Sequence, residues 1–204
     1  MRRCRVLGPE LGRKLVHLTA LIIPVAYYLI PSRHLSLLLM ALATTVFLVV
    51  DLLRLRLNPF KDIFIILFGS LLRRREFSSL TGGSYLMLAS LVSMLLFGSN
   101  PGVFIAAISF LAIGDTVAAI VGLSFGKIRI FRKTVEGTIA GLAACIGVAY
   151  IISILPDIDM PFLIGIIGAI AAAVVEALPF EINDNVVIPM FSGGVMMITL
   201  QLFH

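Results

Sequence analysis

The sequence predicts an all-α, polytopic integral membrane protein, and three observations carry that prediction. Of 204 residues 60% are hydrophobic and 13% charged, with a mean hydropathy of +1.10. Apolar stretches of spanning length recur along the chain and leave no stretch for a soluble domain, so residues 1–204 read as one membrane-embedded domain. The charge is also segregated. With the N-terminus cytoplasmic, fifteen of the sixteen Lys and Arg residues fall inside and only Arg33 falls outside.

Seven spans follow in order, at 11–30, 35–53, 84–97, 102–125, 134–155, 161–178 and 186–203. The first pairs basic residues with an apolar run but has no small-residue cleavage site, so it is expected to be retained. The third is short for the ~20 residues that a spanning helix needs. Pro31, Pro101, Pro156 and Pro161 fall at span ends, where a missing amide donor stops or starts a helix. Residues 60–72 are apolar but brief, with Lys61 before them and Arg73, Arg74 and Arg75 after, which fits a helix lying in the interface. Gly137 and Gly141, like Gly165 and Ala169, have the spacing of close helix packing.

Charge inside the apolar segments is the functional signal. A carboxylate in a bilayer costs several kcal/mol, so it marks either chemistry or interhelical glue. Asp115 lies about ten residues inside the cytoplasmic end of its span, roughly 15 Å at 1.5 Å per residue. Asp51, Glu136, Glu176, Glu181 and Asp184 sit near the same end of theirs, so the acids converge on one leaflet. Lys127, Arg129, Arg132 and Lys133 lie within seven positions of a loop, just before a helix whose amides and dipole would face a phosphate. Thr134 is the expected N-cap, and Glu136 one turn on offers the hard oxygen that a magnesium–nucleotide site needs.

A second cluster, Glu176 to Asn185, holds three carboxylates and two amides, with Pro179 inside it and Pro189 just after. Arg13, Lys14 and His17 share a helix face, suited to gripping phosphate or to snorkelling toward headgroups. Asp51 with Arg54 reads as a local ion pair, and Thr81-Gly82-Gly83-Ser84 as a turn with free amides. Gly122 to Lys127 is one residue short of a P-loop and follows a membrane helix instead of a strand. Cys4 and Cys145 have no metal-site spacing.

Taken together, these residues resemble the CTP-dependent polyprenol kinase family: dolichol kinases, phytol kinases and CTP-dependent diacylglycerol kinases. Four motifs carry the resemblance in order: Glu10 to His17, Gly114 to Gly122 with Phe125-Gly126-Lys127, Lys133 to Gly141, and Asp184-Asn185 with Pro189. The resemblance implies transfer of the γ-phosphate of CTP to a membrane lipid alcohol. Asp115, Glu136 and Asp184 would be the catalytic residues and the Mg²⁺ ligands. Lys127, Arg129, Arg132, Lys133, Thr134, Gly137 and Asn185 would bind nucleotide, and Arg13, Lys14 and His17 would contact lipid or phosphate.

The Lys-Thr-x-Glu-Gly element is shared with phosphatidate cytidylyltransferases, so a CDP-lipid synthase is the alternative. Ile130-Phe131-Arg132 replaces the Ser-Pro that those enzymes generally carry. A transporter, the third class, would need polar residues in the outer half of the membrane, which offers almost none. The expected partners are CTP, a membrane lipid alcohol arriving sideways with its tail left in the bilayer, and the bilayer itself. Nucleic acid is not expected, and self-association into a homo-oligomer is left open. The expected location is the cell membrane of a prokaryote or the endoplasmic reticulum of a eukaryote, with the site facing the cytoplasm.

Overall fold

The computed structural model describes residues 12–72, 74–131, 133–179 and 183–203. Arg132 of the expected nucleotide loop lies outside the described residues, as do Cys4, Glu10, Leu11, Arg73 and Glu181.

The chain is all-α apart from one two-residue ladder. Residues 12–18 form α1 and pass through a 3₁₀ turn at Thr19–Leu21 into α2, Ile22–Leu29. Pro24 has no amide to return to Ala20, so the chain tightens just before it. α3, Arg33–Arg56, starts at Ser32, whose hydroxyl accepts the Leu35 amide at 3.3 Å. Extended Leu57 and then Pro59 separate it from α4, Asn58–Phe68. No residue of α4 is buried.

A 3₁₀ turn at Arg74–Phe77 leads to α5, Gly82–Phe97, capped by Thr81. Asn100 caps α6, Pro101–Ser109, which runs through a π-helical segment at Phe110–Gly114 into α7, Asp115–Phe125. This central rod is almost wholly buried, and α2, α5, α8 and α10 pack around it. The loop after α7 is a small antiparallel hairpin, β1 (Arg129–Ile130) against β2 (Lys133–Thr134), which the sequence does not announce. Phe131 turns it with φ of 51°. α8 (Val135–Ser153), α9 (Phe162–Ala177) and α10 (Asp184–Phe203) complete the bundle, each packed on the one before.

Among the described residues four helices are long and apolar enough to cross a membrane: Arg33–Arg56, Pro101–Phe125, Val135–Ser153 and Asp184–Phe203. Gly82–Phe97 and Phe162–Ala177 are apolar but shorter. Every segment expected to span is therefore helical, with the first interrupted at Thr19–Leu21.

α7 and α8 approach closely because their facing positions are small. A Cβ on Gly137 would stand 2.5 Å from the Ala118 carbonyl oxygen and 2.9 Å from the Thr134 hydroxyl. That contact fixes where α8 begins, and with it the hairpin that delivers Lys133.

Candidate active site

Asp115 opens α7 at the end of the π segment and is 5% exposed. Its carboxylate is held by two lysines from distant parts of the chain. Lys14 of α1 donates to Oδ2, and Lys133 of β2 donates to Oδ1 at 3.3 Å. Lys133 also donates to Glu176 Oε1 of α9 at 2.7 Å. One buried chain of charge, Lys14–Asp115–Lys133–Glu176, thus joins α1, α7, β2 and α9. Burial alone would lower the Lys133 pKa, but the Asp115 and Glu176 carboxylates outweigh it and hold the ammonium well above its ordinary value.

The π segment and the small residue at Gly114 set this geometry locally. A side chain on Gly114 would strike Cys145 Sγ of α8 at 2.5 Å. Cys145 in turn points its thiol at the Phe110 carbonyl, 3.8 Å away. The π register rotates the rod just before α7 and so selects the face from which Asp115 emerges.

His17, one turn after Lys14, brings Nε2 to 3.9 Å from Asp115 Oδ2. That nitrogen is buried and has no hydrogen-bond partner in the protein. Arg13, Lys14, His17 and Asp115 line one end of a cavity of about 660 Å³. The walls beyond them are mainly apolar side chains of α2, α3, α4 and α5.

The other expected residues take distinct places. Glu136 folds back from the first turn of α8, and its two oxygens accept the Ile128 amide at 3.2 and 3.4 Å. It therefore closes the hairpin loop and has no hydrogen bond to Asp115. Thr134 caps α8, accepting the Gly137 amide at 3.2 Å. Lys127 and Arg129 are exposed on the hairpin, and Gly137 is buried against α7. Asp184, at the start of α10, lies near enough to Lys133 to stabilise its charge. Asn185 donates to the Gly82 carbonyl at 2.8 Å and ties α10 to the start of α5.

Two features exceed the sequence expectation. Glu176 pairs directly with Lys133, and its signal was available: it is the only charged residue in the apolar helix α9. Asp51 does more than pair locally with Arg54. Its Oδ1 accepts Arg54 Nη2 at 2.7 Å, while Oδ2 accepts the Thr81 amide at 2.7 Å and the Ser84 hydroxyl at 2.6 Å. Arg54 then reaches the Glu76 and Ser79 carbonyls, at 2.8 and 2.9 Å. This network pins the Thr81–Ser84 turn at the cavity rim.

Among the described residues no three His, Cys, Asp or Glu side chains gather into a group able to cage a metal. Both oxygens of Asp115 already face lysines. Such a donor set fits Mg²⁺ only in the mode where the ion keeps substrate phosphates and takes one or two carboxylates.

The cytidylyltransferase family profile matches residues 3–180, most of the chain. The chain belongs to the cytidylyltransferase family. An uncharacterized protein of Rickettsia prowazekii (strain Madrid E), RP860, is 28% identical over 186 residues, which cover 89% of this chain and 90% of that protein. No solved structure matches. Membership reaches the broad family and does not single out a polyprenol kinase branch. Its description favours the cytidylyl-transfer alternative over the γ-phosphoryl transfer implied by the four motifs.

Proposed function

We propose that this family member is a CTP-dependent transferase that acts on a membrane lipid, and that its reaction is CDP-lipid synthesis. A phosphate oxygen of the lipid attacks the α-phosphorus of CTP, the new P–O bond places CMP on the lipid, and the α–β anhydride breaks to release pyrophosphate. The observation that carries this reading is the convergence of Arg13, Lys14 and His17 with Asp115 in a cavity that is also lined by Asp51, Glu76, Thr81, Ser84 and Asn185 and whose remaining lining is mainly apolar. Two cations, Arg13 and Lys14, beside the His17 imidazole suit an acceptor that already bears phosphate, which needs charge neutralisation and no strong base.

In this reading Lys133 meets the CTP phosphates from the edge of the acceptor site, with Lys127 and Arg129 adding positive charge along the hairpin and Arg132 assigned to the same role by sequence alone. Asp115 and Glu176 hold Lys133 protonated and in place. Thr134 and Gly137 order the start of α8, and Asn185 fixes α10 beside α5. Bound Mg²⁺ would neutralise charge on the leaving pyrophosphate, held mainly by the substrate phosphates with Asp115 or Asp184 as the carboxylate offered to it, while Glu136 orders the hairpin through the Ile128 amide. The segregation of basic residues orients the N-terminus and the hairpin to the cytoplasm, where CTP is available.

A second reading is favoured by one observation. The unpartnered Nε2 of His17 faces the cavity and could accept the proton of a lipid alcohol. The alcohol would then attack the γ-phosphorus, and CDP would leave. Label placement separates the two. Purified protein in nanodiscs is given CTP labelled at the α- or the γ-phosphate, with phosphatidic acid or a polyprenol as acceptor. CDP-lipid synthesis puts α-label in lipid and releases pyrophosphate. γ-Label in lipid with free CDP would overturn it in favour of the kinase.

A further inference from the structure

The cavity continues well beyond the charged groups, and its far part has a chemistry of its own. Lys14, His17, Ala20 and Ile23 all line it at successive three-residue spacing. In a continuous α-helix such positions drift around the axis, and the 3₁₀ turn at Thr19–Leu21 reduces that drift, so the four side chains all keep to the cavity side. The row runs roughly 15 Å from a lysine to an isoleucine, at ~1.5–2.0 Å per residue. The lining also includes Val50 of α3, Phe64 and Phe68 of α4 and Met87 of α5, together with the polar group Asp51, Glu76, Thr81, Ser84 and Asn185, whose Asp51, Thr81 and Ser84 side chains are hydrogen-bonded to one another. The volume of about 660 Å³ holds roughly twenty groups of water or methylene size, at ~30 Å³ each.

α4 bears on what fills this space. It has no buried residue, and Ile63, Ile66 and Leu67 are strongly exposed, while Phe64 and Phe68 turn toward the cavity. An apolar wall presenting hydrocarbon on both faces separates two hydrocarbon environments.

We infer that this chamber between α1–α2, α3, α4 and α5 takes one hydrocarbon chain of the acceptor lipid inside the protein, with its phosphate at Lys14 and His17. The charge gradient along the row fixes the direction: anionic head at Lys14, tail toward Ile23. The second chain of a two-chain lipid stays in the bilayer outside α4. The chamber rests on the CTP–lipid reading only for the identity of the head; the row and the walls stand apart from it. Acceptor chain length is therefore measured by the protein, and Ala20 is the residue that sets it.

The test compares Ala20→Phe, which fills the chamber beyond His17, with Val25→Phe on the outward face of α2. Met87→Ala serves as an enlarging variant that introduces no bulk. Binding of di-octanoyl, di-lauroyl and di-palmitoyl phosphatidic acid is measured by native mass spectrometry without CTP, and then initial rates with CTP. Ala20→Phe is expected to weaken the di-palmitoyl lipid by at least about tenfold, since every expelled methylene loses its burial. The di-octanoyl lipid and the KM for CTP should change little. Met87→Ala should shift preference toward the longer chain. Chain-length profiles of Ala20→Phe and Met87→Ala that coincide with those of wild type and Val25→Phe would overturn the chamber. Chain-selective binding without any CTP turnover would leave the chamber standing and contradict the proposed reaction instead.

Discussion

Asp115 keeps two lysines in a place where neither would be stable alone, and this shapes what its substitution does. Asp115→Asn removes the counter-charge of buried Lys14 and half that of Lys133. Leaving one partner of a buried pair uncompensated costs about 3–5 kcal/mol. The single variant should therefore lower the melting temperature clearly as well as lose turnover, and a Tm equal to wild type would show that the pair is solvated. Lys133 and its loop neighbours should separate. Lys133→Gln is expected to reduce kcat about a hundredfold, because a charge fixed by two carboxylates is preorganised for the transition state. Lys127→Gln and Arg129→Gln, exposed on the hairpin, should mainly raise the KM for CTP; equal kcat losses in all three would contradict the distinction. The raised pKa of Lys133 also has a sign. The group is protonated below its unfolded value of about 10.4, and its contribution is lost only as pH rises through the still higher folded value. Rate and stability should accordingly show no alkaline limb from Lys133 between neutral pH and about pH 10, as a pH series on wild type and Lys133→Gln would show.

Among elements, the α7–α8 contact and the hairpin between them decide where Lys133 lands. Gly137→Ala would drive a Cβ into the Ala118 carbonyl and the Thr134 hydroxyl, so α8 must shift. Gly147→Ala meets nothing within 4 Å. A lower Tm and lower activity in the first, with neither change in the second, is the expected result. Equal behaviour would mean that the helices are not in close contact. Helix positions were legible in the sequence because apolar runs, the Thr134 cap and prolines at the breaks all point the same way, and the structure adds caps at Ser32, Thr81 and Asn100. The π segment was not, since Phe110–Gly114 reads as one more apolar helical turn and its register depends on packing against Cys145. The hairpin was equally hidden, because two-residue strands leave no periodicity. At the site, Asp115, Lys133, Lys14 and His17 stood out as charge in apolar segments, whereas their mutual contacts span up to 101 positions and follow from tertiary packing alone. Glu136 was legible as an acid near phosphate-binding bases, yet its oxygens turn to the Ile128 amide, a local choice that spacing does not encode.

The whole molecule sets a rod, α6–α7, buried as far as the first turn of α7, inside a bundle that has four helices fit to cross a bilayer among the described residues, and gathers buried charge around Asp115 where α7 begins. Such a cluster serves either the reaction or the assembly of the helices, and the two roles separate when charge is removed in balanced pairs. Lys14→Met with Asp115→Asn takes away one positive and one negative charge and leaves Lys133 paired with Glu176. Replacing a buried pair by uncharged side chains of similar volume is often neutral or stabilising. The decisive measurement is CTP-dependent lipid product formation by this double variant in nanodiscs, read beside its melting temperature. A Tm recovered toward wild type with product formation lost is the result this account predicts. Recovery of Tm together with near wild-type product formation would show that the cluster only holds helices together, and that the chemistry lies elsewhere.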